Sequence, residues 1–161
     1  MAGNLFLQID GVTGECAEQA HEGWIDVQSY SEGLSSASSA GYGGGAGLGT
    51  VSYQDFMITC LLEKAVPNLM AGCADHKHYP KAKLHATKMG GDGKSWTYLE
   101  VTLTDVVVTN VSLSGSDNVM PMVAIGLAFS KIKTEYWEQT KSGGKGSSTN
   151  AEWDQKKNVK A

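Results

Sequence analysis

The sequence contains no arginine: all 13 of its basic residues are lysine, against 17 acidic residues and a formal net charge of -4. Arginine supplies the planar, two-pronged donor that most often reads phosphate groups and base edges. A chain without arginine and with a mildly acidic balance is poorly suited to bind DNA or RNA. The composition therefore argues against nucleic acid as a partner.

Cysteine is scarce and long apolar runs are absent. Cys16, Cys60 and Cys73 are odd in number and stand in no metal-ligand spacing, which predicts buried thiols in a reducing compartment and no disulfide framework. No apolar run approaches the roughly 20 residues of a membrane-spanning helix. Residues 1–11 lack the charged start and apolar core of a signal peptide. We expect no membrane insertion, and any export must use a route without a signal peptide.

Alternating strand patterns dominate what is present. In Ser95 to Leu113, two period-2 runs flank the polar pair Thr104-Asp105, which predicts two strands separated by a bulge or tight bend. Upstream, Gly90-Gly91-Asp92-Gly93 predicts a hairpin turn. A third alternation, from Val123 to Phe129, reverses its phase around Ser130. The side chains predicted to face inward are Leu99, Val101, Val123, Ile125, Leu127 and Phe129.

The remaining elements are shorter. Leu5 to Ile9, Trp24 to Tyr30 and Val51 to Leu62 read as strands, and a short helical pattern opens at Pro67 and stops at 75–78. We predict one mainly β domain over residues 1–161, interrupted by a glycine-rich extended loop at about 31–50.

That loop invites a test for nucleotide binding. Gly44 to Gly49 has half of a Walker spacing, but Thr50 and Val51 stand where Lys and Ser or Thr are required, and a strand follows where a helix is required. The loop is therefore interpreted as a connector, and no cofactor is expected.

Enzymatic chemistry is poorly supported. The sequence has no Gly-x-Ser-x-Gly elbow and no carboxylate pair in a recognisable setting, so we expect no catalytic residues. Asp75, His76 and His78 could bind a metal, but a solvated loop at a helix end is the commoner arrangement, and the sequence shows no third ligand at the right distance.

Several segments resemble the haemolysin-coregulated protein (Hcp) family, the tube subunit of the bacterial type VI secretion system. They are PNLMAGCADHKHYPKAKLHATKMGG, YLEVTLTDVVVTNVS and VAIGLAFSKIKTEY, with FLQIDGVTGE and WIDVQSYSEGLS near the start and EWDQKKNVKA at the end. Order and spacing agree over nearly the whole chain. One departure is Val66, since the family often has Ser or Thr before the helix proline, where a hydroxyl can cap the first turn.

The resemblance implies a two-sheet β-barrel with one short flanking α-helix. It also implies a homohexameric ring that stacks into a tube, with the contractile sheath, a VgrG-type spike protein and small effectors as partners. The subunit would be synthesised in the bacterial cytoplasm and secreted through the type VI system. An alternative role is that of a carrier whose ring holds small effectors until export.

The resemblance also implies candidate sites. Tyr30 and Ser31 match family positions near the inner surface of the ring, where they could contact effectors; a covering role for Tyr30 at the barrel mouth is the alternative. The glycine-rich loop matches a segment that projects toward the next ring. Its candidate stacking residues are Gly41, Tyr42, Gly43, Gly44, Gly45, Gly47 and Gly49.

Overall fold

The computed structural model describes residues 3–38 and 48–161. One α-helix, α1, spans Ala65–Ala74. The strands in chain order are β1 Gly3–Ile9, β2 Ile25–Val27, β3 Ser29–Ser31, β4 Leu34–Ser38, β5 Leu48–Tyr53, β6 Phe56–Leu61, β7 His78–Met89, β8 Ser95–Ser116, β9 Val119–Gln139 and β10 Lys145–Asp154.

Most of the strands form one curled antiparallel sheet in the order β2-β1-β7-β8-β9-β6-β3, with β10 paired to the second half of β9. Its two ends, β2 and β3, are separated only by Gln28, whose N–H donates to the Thr59 carbonyl at 2.8 Å. The chain from Ile25 to Ser31 therefore bridges β1 and β6 and draws the sheet into a barrel. A small second sheet pairs β4 with β5. This is the predicted mainly β fold with one flanking helix.

The β8–β9 hairpin is the longest unit, and it differs from the prediction in one respect. Ser95–Ser116 is one continuous strand rather than two. The predicted bend survives as a local irregularity, because Asp105 adopts a left-handed conformation with φ 55°. Leu103 and Val106, on either side of it, are both buried, so the inward phase changes there. Asp105 thus turns the sheet without ending the strand.

The core confirms most of the predicted inward positions. Val101, Val123, Ile125 and Leu127 are at most 1% exposed, while Leu99 and Phe129 are only partly buried at the edge of the core. The predicted phase reversal near Ser130 is also confirmed, because the next fully inward residue of β9 is Ile132.

Three expectations need correction. The helix begins at Ala65, two residues before Pro67, so Val66 is a buried helical residue and occupies no capping position. Lys64 is the N-cap, and it makes no side-chain capping bond. The predicted Val51 to Leu62 strand is interrupted between Tyr53 and Phe56. Part of the predicted 31–50 loop is strand, because β4 and the start of β5 pair across it.

The turn signals were accurate. β7 ends at Met89 and β8 starts at Ser95, with Gly93 at φ 77° between them. A positive φ is readily adopted by glycine, which explains the glycine-rich turn sequence. Beyond α1, His76 is left-handed at φ 54° and ends the helix as the polar 75–78 segment predicted.

Candidate functional site: the outer faces of the barrel

Three rows of outward-facing residues on the barrel carry no charged side chain, and Asp55, which accepts a hydrogen bond from Thr109 Oγ1 at 2.7 Å, lies at their border. Strand registers place outward-facing residues of β3, β6, β9 and β8 side by side in three rows. We call this surface the uncharged face. Its rows are Ser31, Met57, Gly126 and Asn110; Ser29, Thr59, Ala124 and Ser112; and Leu61, Met122 and Ser114.

The residues of the uncharged face alternate with core residues, which fixes their direction. Ile58 and Cys60 on β6, and Val123 and Ile125 on β9, are fully buried. In a strand, neighbours of inward residues point outward. Hydroxyl groups meet across this face, since the side chains of Ser29 and Thr59 are hydrogen-bonded. The result is a surface of small hydroxyl, amide and thioether groups.

The other half of the same ladder is strongly charged. Beyond the bend at Asp105 and Ser130, residues on the outer side of β7, β8, β9 and β10 form rows that we call the charged face; among them Asp154 is buried, and its carboxylate accepts a hydrogen bond from the Lys157 N–H. The rows are Lys81, Thr104, Lys131 and Asp154; Lys83, Thr102, Lys133 and Glu152; and His85, Glu100, Glu135 and Asn150. The two faces therefore differ sharply in electrostatic character although they lie on the same two long strands.

The structure separates the two residues that the family resemblance suggested as effector contacts. Ser31 is exposed on the uncharged face, beside Met57. Tyr30 lies on the opposite side of β3, where its ring stacks on the buried Phe56 with centroids 6.1 Å apart. Burial raises the pKa of the Tyr30 hydroxyl. The two side chains therefore face different surroundings, and this favours the covering role for Tyr30.

The candidate stacking residues fall mainly outside the described residues. Gly41, Tyr42, Gly43, Gly44, Gly45 and Gly47 lie in the undescribed segment, and Gly49 belongs to β5. On either side, the paired strands β4 and β5 form a two-stranded arm that leads into this segment. Leu34 at the base of the arm is 58% exposed.

Sequence reasoning missed a cluster of polar side chains that are hydrogen-bonded to Asp105. Its carboxylate accepts hydrogen bonds from His78 Nδ1 at 2.9 Å, Ser130 Oγ at 2.7 Å and Lys156 Nζ at 2.7 Å. Hydrogen bonds from Lys156, His78 and Ser130 hold the pKa of Asp105 well below its usual range. The carboxylate thus ties β7, β9 and the C-terminal segment to the bend. The polar pair Thr104-Asp105 was the only sequence signal for it.

A second missed feature is a chain of four titratable side chains. His21 Nδ1 contacts Glu18 Oε2, His21 Nε2 lies 2.9 Å from His85 Nδ1, and His85 Nε2 lies 2.7 Å from Glu100 Oε2. We call these four hydrogen-bonded side chains the histidine relay. It joins the 12–24 loop to β7 and β8. Nothing in the sequence pairs His21 with a residue 64 positions away.

His76 and His78 do not converge on a common ligand. His78 is bound to Asp105, and His76 occupies the left-handed position after the helix. Among residues 3–38 and 48–161, no group of three or more histidine, cysteine or acidic side chains is placed to hold a metal ion. In the same part of the chain, no helix has the length and apolarity needed to cross a membrane.

Comparisons with known proteins agree with this architecture. A family model described as "Type VI secretion system effector, Hcp" matches residues 6–136. Protein hcp1 of Pseudomonas aeruginosa is 37% identical over 163 residues, with all of both chains covered. The crystal structure of Hcp1 from Salmonella typhimurium superimposes with a TM-score of 0.82 at 33% identity over the full length of both chains. A type VI secretion effector from Yersinia pestis superimposes with a TM-score of 0.72 at 27% identity, covering 93% of this chain and 98% of its own.

The matches extend over the barrel strands that carry both outer faces. Together with the β-barrel and its flanking helix α1, they show that this chain belongs to the Hcp family of the type VI secretion system.

Proposed function

We propose that this chain is the structural tube subunit of a type VI secretion system and that its uncharged face lines the central hole. Hcp proteins are structural, secreted proteins that assemble into hexameric rings, and the rings stack into the tube. The single observation that carries the assignment of the hole is the set of rows without a charged side chain that runs across β3, β6, β9 and β8.

Physical chemistry explains why such a face suits a conduit. Lysine and carboxylate side chains would create a field in the hole and would bind cargo of opposite charge. Small hydroxyl and amide groups produce no such field. Met57 and Met122 add flexible thioethers that adapt to apolar cargo of different shapes. A passage lined this way lets varied proteins travel without selecting one charge.

The strand edges explain why the subunit needs neighbours. Within the described residues, β9 is the strand that pairs with β10, so apart from the bridge between Asp154 and Val159 the other edge of β10 presents backbone donors and acceptors. Exposed edges recruit other chains, and a closed ring satisfies them without open-ended growth. Native mass spectrometry at micromolar concentration should therefore give six subunits; a monomeric mass would contradict the proposal.

The lining can be tested by size-selective labelling. In a Cys73→Ser background, which leaves only the buried Cys16 and Cys60, Ser112→Cys places a thiol in the middle of the uncharged face. A small maleimide should label it in assembled tubes, while a large polyethylene-glycol maleimide should label it only after the tubes are dissociated.

The matched control is Thr102→Cys, which lies on the same strand but on the charged face. In intact tubes, we expect the large maleimide to label Thr102→Cys although it does not label Ser112→Cys. Equal labelling of intact tubes by the large reagent at both positions would place the uncharged face outside the hole.

The carrier role is supported by the exposure of Ser31 at the edge of the uncharged face. Effectors held in the hole would contact this hydroxyl and the neighbouring Met57. Ser31→Gln should leave the hexamer intact, as measured by native mass, and reduce the amount of effector that copurifies with it. Loss of the hexamer would instead place Ser31 in a contact between subunits.

The glycine-rich segment is proposed to make the contact between rings. Shortening Gly41 to Gly49 to a two-residue link should leave hexamers and their melting temperature nearly unchanged but abolish tubes in electron micrographs. Normal tubes from the shortened chain would refute this role. Loss of the hexamer would instead show that the segment contributes to the contact between subunits within one ring.

The remaining partners follow from membership of the secretion system. The sheath would enclose the tube, a VgrG-type spike would cap it, and small effectors would occupy the hole. The subunit would be made in the cytoplasm and leave the cell as part of the propelled tube.

A further inference from the structure

The geometry of the histidine relay determines how many protons its two imidazole rings must carry. The relay contains three hydrogen bonds in series, from Glu18 to His21, from His21 to His85 and from His85 to Glu100. With both carboxylates ionised, each bond needs one proton on a ring nitrogen. Two neutral imidazoles carry only two such protons, while two imidazolium rings carry four. Three bonds are satisfied together only when the pair carries three protons, so that one ring is cationic and the other neutral.

Either other proton count breaks the relay. If both rings were cationic, His21 Nε2 and His85 Nδ1 would both carry hydrogens across a distance of 2.9 Å, and two like charges would face each other. If both rings were neutral, one of the three contacts would lack its proton. All three contacts are therefore satisfied together only when the two rings share one positive charge.

The surroundings restrict any adjustment. The ring of His21 stacks on the Phe6 ring with centroids 4.1 Å apart and planes 9° apart, and it is 5% exposed. Trp24 packs against both histidine rings, at centroid distances of 4.7 Å and 4.6 Å. Both rings are therefore packed against aromatic neighbours, and the His21 ring is held on two sides.

Other charges near the relay come from several elements. On the loop, Glu22 follows His21; on β7, Lys83 lies on the same face as His85; on β9, Glu135 faces Glu100 and is 3.8 Å from Lys133. Residues of β1 opposite the relay carry no titratable group, since Phe6 is the partner of His85 there. On β2, Asp26 pairs with Phe6 and so lies in the same row as His85 and Glu100. None of these side chains separates His21 Nε2 from His85 Nδ1, which are in direct contact at 2.9 Å, so a fourth proton would still place two N–H groups against each other.

Burial lowers the pKa of His85, although the Glu100 carboxylate opposes the shift. A histidine whose pKa is lowered by folding binds its proton more tightly in the unfolded chain. Its contribution to stability is therefore lost as the pH falls below the ordinary histidine value of about 6.5.

We infer that the His21–His85 pair acts as a clamp that fixes the 12–24 loop to the barrel while the two rings share one positive charge, and that it releases the loop when acidification adds a second charge. Release uncovers the Phe6 ring and the apolar face of Trp24. The clamp thus makes one segment of the barrel surface sensitive to the pH of its compartment.

Hydrogen exchange of the loop amides tests the clamp directly. The folded loop holds the Gly14 N–H on the Gly23 carbonyl at 2.7 Å, the Cys16 N–H on the Trp24 carbonyl at 3.0 Å and the Gly23 N–H on the Cys16 carbonyl at 2.9 Å. Between about pH 7 and pH 5, protection factors of these amides should fall, because opening of the loop exposes their N–H groups to solvent. Amides of the β8–β9 ladder should keep their protection.

Two glutamine variants separate the clamp from general acid instability. His85→Gln replaces one ring with a neutral amide that can still donate and accept, so the pH dependence of loop protection should flatten. His78→Gln removes a histidine outside the relay, so the pH dependence of loop protection in this variant should equal that of the wild type. Loop protection that is unchanged at pH 5 in the wild type, or that falls equally in His85→Gln, would overturn the inference.

Nitrogen chemical shifts of the two rings provide a readout on the unmodified protein. At neutral pH they should show one imidazolium and one neutral ring. Two imidazolium rings in a protein whose loop amides remain protected would also overturn the inference.

Discussion

Gly72 in α1 offers a test in which two opposing energies of similar size decide the sign. A Cβ at this position would clash with the Tyr79 hydroxyl and lie 3.1 Å from Tyr79 Cζ. Tyr79 is only 2% exposed, so its ring has little space into which it can move. The helix itself would prefer alanine, by up to about 1 kcal/mol. That preference is smaller here because Gly72 lies in the last turn of Ala65–Ala74.

The cost of the clash exceeds this gain. Forcing an extra methyl group into a closely packed site costs about 1–3 kcal/mol, because neighbouring side chains must leave their preferred conformations. Gly72→Ala should therefore destabilise the protein by about 1–2 kcal/mol. For a chain of this size, that corresponds to a decrease in melting temperature of roughly 2–8 °C. Melting should be followed by circular dichroism at one fixed protein concentration, because ring assembly contributes to the apparent stability.

A double-mutant cycle identifies the cause. In a Tyr79→Phe background the clashing oxygen is absent, so Gly72→Ala should cost about 1 kcal/mol less than in the wild type. Ala71→Gly at the exposed neighbouring position measures the helix preference alone. If Gly72→Ala raised the melting temperature, or cost the same in both backgrounds, the contact with Tyr79 would not be what keeps glycine at this position.

Two further predictions concern the core and the bend. Ile125→Ala, at a site that is 0% exposed, should lower the free energy of unfolding by about 2–5 kcal/mol. Leu99 is only partly buried, so Leu99→Ala should cost an amount near the lower end of that range. Wild-type denaturant midpoints for both variants would show that the inward face is misassigned. The low pKa of Asp105, caused by its bonds to Lys156, His78 and Ser130, means that its contribution is complete above the ordinary aspartate pKa of about 3.9 and is lost as the pH falls toward its folded value. Asp105→Asn keeps a residue that tolerates φ 55° but removes the charge, so acid unfolding below about pH 4 should become less steep. Asp105→Leu should also destabilise the protein at neutral pH. Identical acid titrations of Asp105→Asn and wild type would contradict this account.

Local patterns in the sequence determined the strands and much of the core. Alternation along Ser95 to Leu113 and Val123 to Phe129 identified inward residues because side chains in any strand point to opposite faces in turn. The turn at Gly90–Gly93 was readable for a similarly local reason, since few residues adopt positive φ without strain. The segments that resemble the Hcp family indicated the fold and the system in which the chain works.

The helix boundary and the left-handed bend depended on tertiary packing. Pro67 is compatible with the first turn of a helix, but buried contacts of Val66 and Leu69 set the start of α1 at Ala65. The polar Thr104-Asp105 pair suggested a strand break. Three hydrogen bonds from distant segments instead stabilise Asp105 inside a continuous strand.

The functional surfaces were decided only by the register between strands far apart in sequence. Ser31, Met57, Gly126 and Asn110 become one row of the uncharged face through three separate pairings, and a shift of one residue in any of them would turn that strand's outward residues toward the core. His21 and His85 meet because the 12–24 loop folds back over Phe6. Such contacts carry no periodic signal, since they arise where packing brings separate elements together.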